Sequence, residues 1–329
     1  MRLDLLDLLA CPSCRGELEL SKGLGVGETI SEGEIICLDC RASYPVKEGI
    51  PCFLTGLGGK IGHIYRGLKA YYDAYAPIMD RNYHNPRIAY MRSIEDACIR
   101  LTKPRGLVLD IGCGTGRQTI MLAEMGCRVL AMDISMGMLL EAKRRVLEKG
   151  LLDHVDLLMA RADALPIREG VLNRAYSIFG AYNHAPGWLK GFRQVHRALR
   201  ERGAFLLTVL NYYQLTWWAE ALLKGDGRAL KHRLSTKLCH ISVRMGRGKK
   251  MKLWTKLFTP GELLRALKSV GFRDVRLGSI LLFLKPRFSY RPWTDLRGHE
   301  IPLARLEDIL RWYPPFNRLG AYIMALARK

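Results

Sequence analysis

The sequence has no apolar run that approaches the roughly 20 residues a helix needs to cross a bilayer, which argues against a membrane-spanning protein. Its apolar first residues are interrupted by Asp4 and Asp7, and no basic region or small-residue cleavage site precedes Cys11, so we expect no signal peptide. Internal repeats and low-complexity tracts are absent too, which excludes a repeat array. We therefore expect a globular cytoplasmic protein, and 329 residues suffice for one large domain and a smaller one.

Acidic side chains are scarce, since 31 Asp and Glu stand against 52 Lys and Arg and leave a net charge of +21. Such an excess indicates an anionic partner, which is a nucleic acid, a lipid surface or an acidic small substrate. Residues 1–54 do not share it, because they hold five basic and nine acidic side chains. The segment from Lys224 to Lys256 holds eleven basic residues against Asp226 alone. This segment is therefore the predicted contact with a polyanion.

Four of the nine cysteines form two C-x-x-C pairs, Cys11 with Cys14 and Cys37 with Cys40. Cytosolic thiols are kept reduced, so disulfides are poor candidates here. Each pair can place two thiolates on a tight turn, and together they supply a tetrahedral site for Zn²⁺. The remaining cysteines are predicted to be small apolar core residues: Cys52, Cys98, Cys113, Cys127 and Cys239.

The N-terminal sequence around these pairs has a recognisable pattern, which runs from Leu8 to Gly16, through Ile36 and Cys37, to a Tyr-Pro-x-x-x-Gly-Ile-Pro ending at Pro51. About the first 54 residues resemble the small zinc-ribbon protein that activates tRNA and protein methyltransferases. Members of that family act as separate partners that stabilise a methyltransferase, so the resemblance implies an activator fused in cis. The other reading is a ribbon that grips RNA, as in ribosomal-RNA guanine methyltransferases with N-terminal zinc ribbons.

Beyond the ribbon, short apolar runs alternate with stretches of helical period, which predicts a doubly wound α/β fold around a parallel sheet. The predicted strands are Leu107 to Leu109, Val129 to Met132, Val155 to Met159, Tyr176 to Phe179 and Phe205 to Leu210. A helix from Pro260 to Val270 and late strands at Val275 to Leu284 and Ala321 to Ala327 suit a closing strand pair. We divide the chain into a ribbon (1–54), a helical linker or lid (55–105) and a catalytic domain (106–329) with a basic insertion at about 211–257.

The first predicted strand of this domain runs into a glycine-rich turn that contains Gly112, Cys113, Gly114 and Gly116. A nicotinamide-binding fingerprint would place its third glycine one position later, where Arg117 stands. With Asp110 at its start, the pattern instead resembles motif I of the class I S-adenosylmethionine-dependent methyltransferases, which have a Rossmann-like sheet. The resemblance implies that the turn binds the methionine half of S-adenosylmethionine, with Asp110 near its ammonium and sulfonium groups.

Two further acidic residues follow the next strands in the order that this family shows. Asp133, followed by Ile134, ends the second strand, where a carboxylate can accept hydrogen bonds from both ribose hydroxyls. A helix cap ahead of Ser135 is the other reading of Asp133. Asp163 and Ala164 follow the third strand and resemble the adenine-contacting segment of the family.

The acceptor side is predicted after the fourth strand, where Phe179, Asn183 and His184 stand. In relatives this position faces the transferred methyl group, so Asn183 and His184 are candidates to orient or deprotonate an acceptor. A helix start at Asn183 and a surface place for His184 are equally open. Tyr72, with its neighbour Asp73, resembles an N-terminal lid over the donor, and packing of a Tyr-rich helix on the core is the other reading.

Three functions remain open for this chain. The first is methylation of RNA, either tRNA or rRNA, because Lys249 and Lys250 lie near Trp217, Trp218 and Trp254 in a mixture suited to phosphates and unstacked bases. The second is a small-molecule or lipid-linked acceptor, with the basic segment on an anionic membrane surface. The third is a non-catalytic adaptor that keeps the donor pocket for stability alone.

Overall fold

The computed structural model describes residues 1–27, 29–55, 57–82, 85–244, 250–285 and 296–329, and its N-terminal part is a small antiparallel sheet. The strands of this sheet pair in sequence order: β1 (Leu18–Val26), β2 (Thr29–Cys37), β3 (Ser43–Lys47) and β4 (Ile50–Pro51). Along β3 buried and exposed residues alternate, and Tyr44 and Val46 point into the core. This alternation is what a half-buried antiparallel strand requires.

A seven-stranded sheet forms the centre of the rest of the chain. In spatial order its strands are β12 (Arg273–Ile280), β13 (Tyr322–Arg328), β9 (Leu199–Leu210), β8 (Leu172–Ser177), β5 (Leu107–Ile111), β6 (Arg128–Asp133) and β7 (Val155–Met159). The five strands from β9 to β7 are parallel, and β13 pairs antiparallel with both β9 and β12. The chain order reverses between β5 and β8, which is where a doubly wound sheet opens a ligand-binding crevice.

Helices cover both faces of this sheet and lie above one end of it. They are α1 (Gly59–Tyr75), α2 (Met79–Asn82), α3 (Pro86–Leu101), α4 (Arg117–Glu124), α5 (Met136–Glu148), α6 (Trp188–Ala198), α7 (Leu215–Leu223), α8 (Gly227–Ser235), α9 (Pro260–Ser269) and α10 (Glu300–Leu310). Side-chain caps begin α3, α5, α8 and α9, as where Ser135 accepts the Met138 N–H at 3.1 Å to begin α5. Within the described residues, no helix has both the length and the apolar character that a bilayer crossing needs.

The predicted α/β architecture is confirmed, and the differences lie at element ends. The fourth strand stops at Ser177 rather than Phe179, because Phe179 takes a left-handed backbone (φ 68°) that ends strand pairing. The two late strands pair with each other at the sheet edge as predicted, with β12 ending at Ile280. The helix predicted over Pro260 to Val270 is α9, in which Val270 is the C-cap.

The basic insertion contains a two-stranded hairpin, β10 (Leu238–Arg244) and β11 (Lys250–Lys256), that packs beside α1. Leu253 of β11 lies in one apolar cluster with Tyr65, Leu68 and Tyr71 of α1. The backbone of β11 also contacts the loop after β8, so this hairpin supports the loop that carries Asn183 and His184.

The N-terminal sheet docks on the free edge of β7. The Phe53 N–H donates to the Met159 carbonyl oxygen at 2.7 Å, and Cys52 pairs with Met159 in a parallel bridge. Farther along, Leu9 and Ile167 form an antiparallel bridge. The apolar residues of the ribbon belong to the same buried cluster as one face of the central sheet, so the two parts share a core.

Candidate functional site

A cleft of about 1050 Å³ opens at the carboxyl ends of β5, β6 and β8, beneath α1. Its lining combines apolar side chains with a few charged ones, which is the usual make-up of a small-molecule site. Eight residues proposed from the sequence line it: Tyr72, Gly112, Cys113, Gly114, Asp133, Ile134, Phe179 and His184. Five others do not line it: Asp110, Gly116, Asp163, Ala164 and Asn183.

The turn after β5 is built from glycines for two steric reasons. Gly112, Gly114 and Gly116 all take positive φ angles, of 74°, 55° and 84°, which side chains disfavour. A Cβ on Gly112 would also lie 2.6 Å from the Cβ of Ala181, in the loop after β8. The turn therefore exposes backbone, rather than side chains, to whatever occupies the cleft.

Asp133 stands at the end of β6 and holds the glycine turn in place. Its Oδ2 accepts the Gly114 N–H at 3.0 Å, and its Oδ1 accepts the Ser135 N–H at 2.9 Å. Burial raises the pKa of this carboxyl to about 6. A carboxylate has about four acceptor positions, so both oxygens can still take a hydroxyl from a ligand in the cleft.

Asp110 lies under the turn instead of in the cleft. It is 2% exposed, and its Oδ2 accepts the Thr119 hydroxyl of α4 at 2.7 Å. Burial raises the pKa of Asp110 to about 6. The structure therefore places this carboxylate as a tie between β5 and α4, on the far side of the turn from the lining residues.

Asp163 is paired within the protein. Arg161 donates to both of its carboxylate oxygens, at 2.8 and 2.9 Å, and also to the Thr55 carbonyl oxygen at 2.8 Å. The guanidinium of Arg161 lies over the Tyr65 ring, 4.2 Å from its centroid, and Arg161 itself lines the cleft. The side chain that reaches the cleft from this segment is thus Arg161, which Asp163 orients.

The loop after β8 carries backbone strain at Phe179. A φ of 68° is rare for an aromatic residue, and the strain is offset where the Phe179 N–H donates to the Thr208 hydroxyl at 2.7 Å. Gly180 continues the left-handed turn with a φ of 85°. The turn directs the following short helix, Ala181–His184, across the cleft.

Asn183 and His184 have different surroundings. The Asn183 amide is fully buried, donating to the Lys256 carbonyl at 2.6 Å and accepting the Leu210 N–H at 2.9 Å. The His184 Nδ1 lies 3.0 Å from the Trp254 carbonyl oxygen, which can only accept, so Nδ1 carries the proton. Burial lowers the pKa of His184, which keeps the ring neutral and leaves Nε2 as a base.

Charged residues of α3 and α4 line the cleft beside the glycine turn, and sequence reasoning missed them. Glu95 is 1% exposed, and burial raises its pKa to about 7. Arg117 Nη2 lies 3.5 Å from Glu95 Oε2 and is buried without a hydrogen-bond partner among the described residues. A buried carboxylate beside a guanidinium with an unused donor fits a zwitterionic ligand. The only sequence signal was an acidic residue on the buried face of a helix.

The four sulfur atoms of Cys11, Cys14, Cys37 and Cys40 all lie within 4.8 Å of one another. The two contacts between the pairs are 3.7 Å for Cys11–Cys40 and 3.4 Å for Cys14–Cys37. Zinc–sulfur bonds of about 2.3 Å in a tetrahedron require sulfur atoms about 3.8 Å apart. The Tyr44 hydroxyl lies 3.0 Å from the Cys11 sulfur, where it can donate to a thiolate. The donor set therefore fits zinc.

The basic segment is only partly available to a partner. Arg247 and Lys249 lie outside the described residues, and the side chains of Arg244 and Lys250 are not described either. Arg233 donates to the carbonyls of Asn211 and Tyr212 and lies over the Trp217 ring, and Trp218 donates to Tyr212. Lys256 pairs with Glu262 at 2.8 Å. Five basic side chains of the segment are exposed among those described: Lys224, Arg228, Lys231, Lys237 and Lys252.

Comparison with known proteins gives two matching family models. The model described as "Methyltransferase domain" matches residues 108–203, and that described as "Trm112p-like protein" matches residues 2–49. The chain is 33% identical over 210 residues to an uncharacterised protein of Methanocaldococcus jannaschii, which covers 64% of this chain and 77% of the relative. The solved DhpI–SAM–HEP complex is similar in fold, with a TM-score of 0.52, 20% identity, and coverage of 81% of this chain and 98% of the other.

A second group of relatives carries a described reaction. The chain is 27% identical over 150 residues to the ubiquinone/menaquinone biosynthesis C-methyltransferase UbiE of Pectobacterium atrosepticum. The match covers 45% of this chain and spans 57% of the relative's length.

Proposed function

Because the chain belongs to the class I S-adenosylmethionine-dependent methyltransferases and carries a Trm112p-like domain at its N-terminus, we propose that it methylates an acceptor bound beside His184. The observation that carries the proposal is the single cleft that joins the glycine turn, Asp133 and His184. S-adenosylmethionine supplies an electrophilic methyl group on its sulfonium when bound. The chain's own residues then have to bind the donor, orient the acceptor and exclude water.

Three side chains account for donor binding in this proposal. Asp133 accepts the ribose hydroxyls with the lone pairs that Gly114 and Ser135 leave unused. Glu95 and Arg117 flank the turn with opposite charges, which complement the ammonium and carboxylate of the methionine end. The buried Nη2 of Arg117 gains in this way the partner that it lacks among the described residues.

His184 is the residue that we assign to the acceptor. Its Nδ1–H is fixed by the Trp254 carbonyl, so the lone pair of Nε2 can take a proton from a hydroxyl, an amine or an acidic C–H group of the acceptor. Asn183 is a positioning residue, because its amide ties the end of β9 to the end of β11 on either side of His184.

For the acceptor we favour an apolar small or lipid-linked molecule. The lining of the cleft includes Tyr65, Leu68, Ile178 and Ala185, which offer little to a phosphate backbone. The relatives named as quinone C-methyltransferases act on that chemical class, although the chain spans only 57% of their length. The side chains of Trp217, Trp218 and Arg233 are engaged with each other and with the backbone instead of presenting a stacking surface.

RNA, either tRNA or rRNA, is the second candidate acceptor, and the charge distribution favours it. The segment from Lys224 to Lys256 has a balance of eleven basic residues to one acidic, and Arg228, Lys231 and Lys252 are exposed within it. Phosphate contacts of this kind give binding that weakens steeply with salt. RNA methylation stays a prediction.

We further propose that the ribbon binds zinc through its four cysteines and stabilises the catalytic part in cis. Its shared core with the sheet and the Arg15 hydrogen bonds to the Leu165 and Ile167 carbonyls support a structural role. A site of four reduced thiolates is suited to the cytoplasm. We keep the division into residues 1–54, 55–105 and 106–329 for this proposal.

The test incubates zinc-loaded protein and methyl-labelled donor separately with total lipid, water-soluble metabolites and total RNA from cells that contain the protein. We expect label in the lipid fraction or among the metabolites, and a rate of labelling lower by roughly 10²-fold or more with His184→Gln. Label in RNA alone would replace the favoured acceptor by the second candidate. Donor binding by calorimetry without label in any fraction would indicate the non-catalytic adaptor.

A further inference from the structure

The helix pair α7 and α8 exposes an unusual concentration of large apolar side chains. Of the eighteen that are exposed among the described residues, six lie between Tyr213 and Leu238. At the end of α7, Leu222 is 63% and Leu223 is 88% exposed, and Leu234 in α8 is 70% exposed. Single exposed leucines are common, but several on one helix pair indicate a surface that meets another apolar phase.

Cations accompany these leucines on the same two helices. Lys224 follows Leu223 directly, and Arg228 and Lys231 lie on the first two turns of α8, all exposed. The acidic groups nearby are engaged, since Glu220 accepts from Lys224 and Lys285 and Asp226 caps α8 through the Ala229 N–H. The exposed charge around the leucines is therefore positive.

This mixture indicates one kind of partner. Exposed leucines contribute nothing to a phosphate backbone in water, whereas apolar side chains flanked by lysine and arginine insert into the interface of an anionic bilayer. A protein partner would require a complementary shape, and a bilayer requires only apolar side chains with cations beside them. We propose that α7 and α8 dock on an anionic lipid surface.

The position of this surface relative to the cleft extends the proposed function. The chain passes from α8 directly into β10, whose first residue, Leu238, pairs with Lys256 of β11. Two residues before Lys256, the Trp254 carbonyl binds His184. The surface is thus linked through β10 and β11 to the backbone that holds His184, and we infer that the acceptor reaches the cleft from the bilayer. This part of the inference rests on the proposed function, while lipid binding itself does not.

The experiment uses the full zinc-loaded chain and sedimentation with vesicles of phosphatidylcholine alone or with one quarter phosphatidylglycerol. We expect binding to the anionic vesicles only, and a loss of at least tenfold in L222S/L223S. The matched control is L147S, which changes a leucine of α5 that is 59% exposed and lies outside the surface. The affinity of R228Q/K231Q for the anionic vesicles should be roughly 25-fold lower, at about fivefold for each cation near an anionic surface. The affinity of K190Q/R193Q, in which two exposed residues of α6 are changed, should match that of wild type.

An unchanged melting temperature in every variant shows that lost binding is not lost folding. No sedimentation with anionic vesicles, or wild-type binding by L222S/L223S, would overturn the proposal. The proposal would also be overturned if the protein bound a labelled RNA in a salt-sensitive way, lost that binding in R228Q/K231Q, and did not bind vesicles. The surface would then be an RNA-binding surface. Methyl transfer is measured separately on detergent-dispersed lipid, so failure of docking and failure of the reaction are distinguishable.

Discussion

The Phe53 N–H donates a 2.7 Å hydrogen bond to the Met159 carbonyl oxygen, which makes the end of the ribbon a neighbour of the last parallel strand. Two residues farther along, the Thr55 carbonyl accepts from Arg161, which lines the cleft. The N-terminal part of the chain therefore supports residues that line the cleft, and changes in the ribbon are expected to have measurable effects at the cleft.

Arg15 is the side chain that we expect to matter most for ribbon docking. It donates to the Leu165 carbonyl at 2.7 Å and also to the Ile167 carbonyl. Arg15→Gln should therefore lower the free energy of unfolding, by up to about 1.5–3 kcal/mol for each charged hydrogen bond that is lost. Glutamine retains a Cβ, so the strain of the left-handed backbone at this position (φ 76°) is the same in both proteins. Urea unfolding measures the change, and exposed Lys47→Gln is the control. Equal stability of both variants would contradict a docking role.

Removal of zinc should destabilise the whole chain and not only the ribbon. We expect wild-type protein to contain one tetrahedrally bound zinc per chain and Cys37→Ser to contain little, because a structural zinc site needs its four ligands. Cys52→Ser is the control, since Cys52 lies outside the cluster. Metal analysis and calorimetric melting give the result. A Cys37→Ser protein that melts like wild type would show that the metal is dispensable.

Asp133 and Asp110 should respond differently to the same substitution. Asp133→Asn replaces one acceptor oxygen by a donor nitrogen at a carboxylate that lines the cleft, so we expect donor binding to weaken at least tenfold. Asp110→Asn keeps an oxygen for the Thr119 hydroxyl and lies outside the lining, so affinity should change less than about threefold. Isothermal calorimetry separates the two. An equal loss of affinity would place Asp110 at the donor.

Glu95 should make donor binding depend on pH. Burial raises the pKa of this carboxyl from 4.5 to about 7, and only the ionised form attracts an ammonium group. Affinity for the donor should therefore fall as the pH is lowered from 8 to 6, and Glu95→Gln should flatten that part of the profile. Glu124→Gln, on the exposed side of α4, is the control.

The same carboxyl should affect the stability of the protein without donor, in the opposite sense. Its folded pKa lies above the unfolded value, so the folded state binds more protons between about pH 4.5 and 7. The contribution of Glu95 to stability is thus lost as the pH rises through this window. The melting temperature of wild type relative to Glu95→Gln should fall from pH 5 to pH 8. A difference that does not vary with pH would contradict the burial of an ionisable Glu95.

His184→Gln should lower kcat by roughly 10²–10⁴-fold if Nε2 acts as the base. Donor affinity should stay close to wild type, because we assign His184 to the acceptor and not to the donor. Because burial lowers the pKa of His184, the wild-type kcat, measured with saturating donor at each pH, should persist below the usual titration range of histidine. A rate that drops near pH 6.5, or an unchanged kcat in the variant, would assign the proton transfer elsewhere.

The sequence predicted the parallel strands and the glycine turn because those signals are local. Apolar runs such as Val155 to Met159 determine a buried strand on their own, and Gly112 and Gly116 are required by the backbone of one turn. The orientation of side chains around the cleft is not local. The sequence pattern that placed Asp110 and Asp163 at strand ends does not contain Thr119 or Arg161, the residues that engage them.

Glu95 is missed for a related reason. It reaches the cleft only because α3 packs against the strands that follow it, and its partner Arg117 lies 22 residues away in α4. In the sequence, an acidic residue on the apolar face of a helix cannot be told from an imperfection in the helix pattern until the element that packs against it is known. The exposure of the leucines of α7 could not be predicted either, since the sequence of this apolar helix does not differ in pattern from that of a core helix.

The parallel bridge between Cys52 and Met159 has a consequence for handling the protein. A strand at the edge of a sheet offers unpaired backbone groups to any other chain. In the intact protein β7 is buried, and most of its side chains are apolar, so an uncovered β7 could pair with a strand of another molecule. With the N-terminal module cut away, that edge would be bare, so truncated chains should associate edge to edge and precipitate. We expect the intact chain to be protected from this association, because its N-terminal module covers the edge of β7.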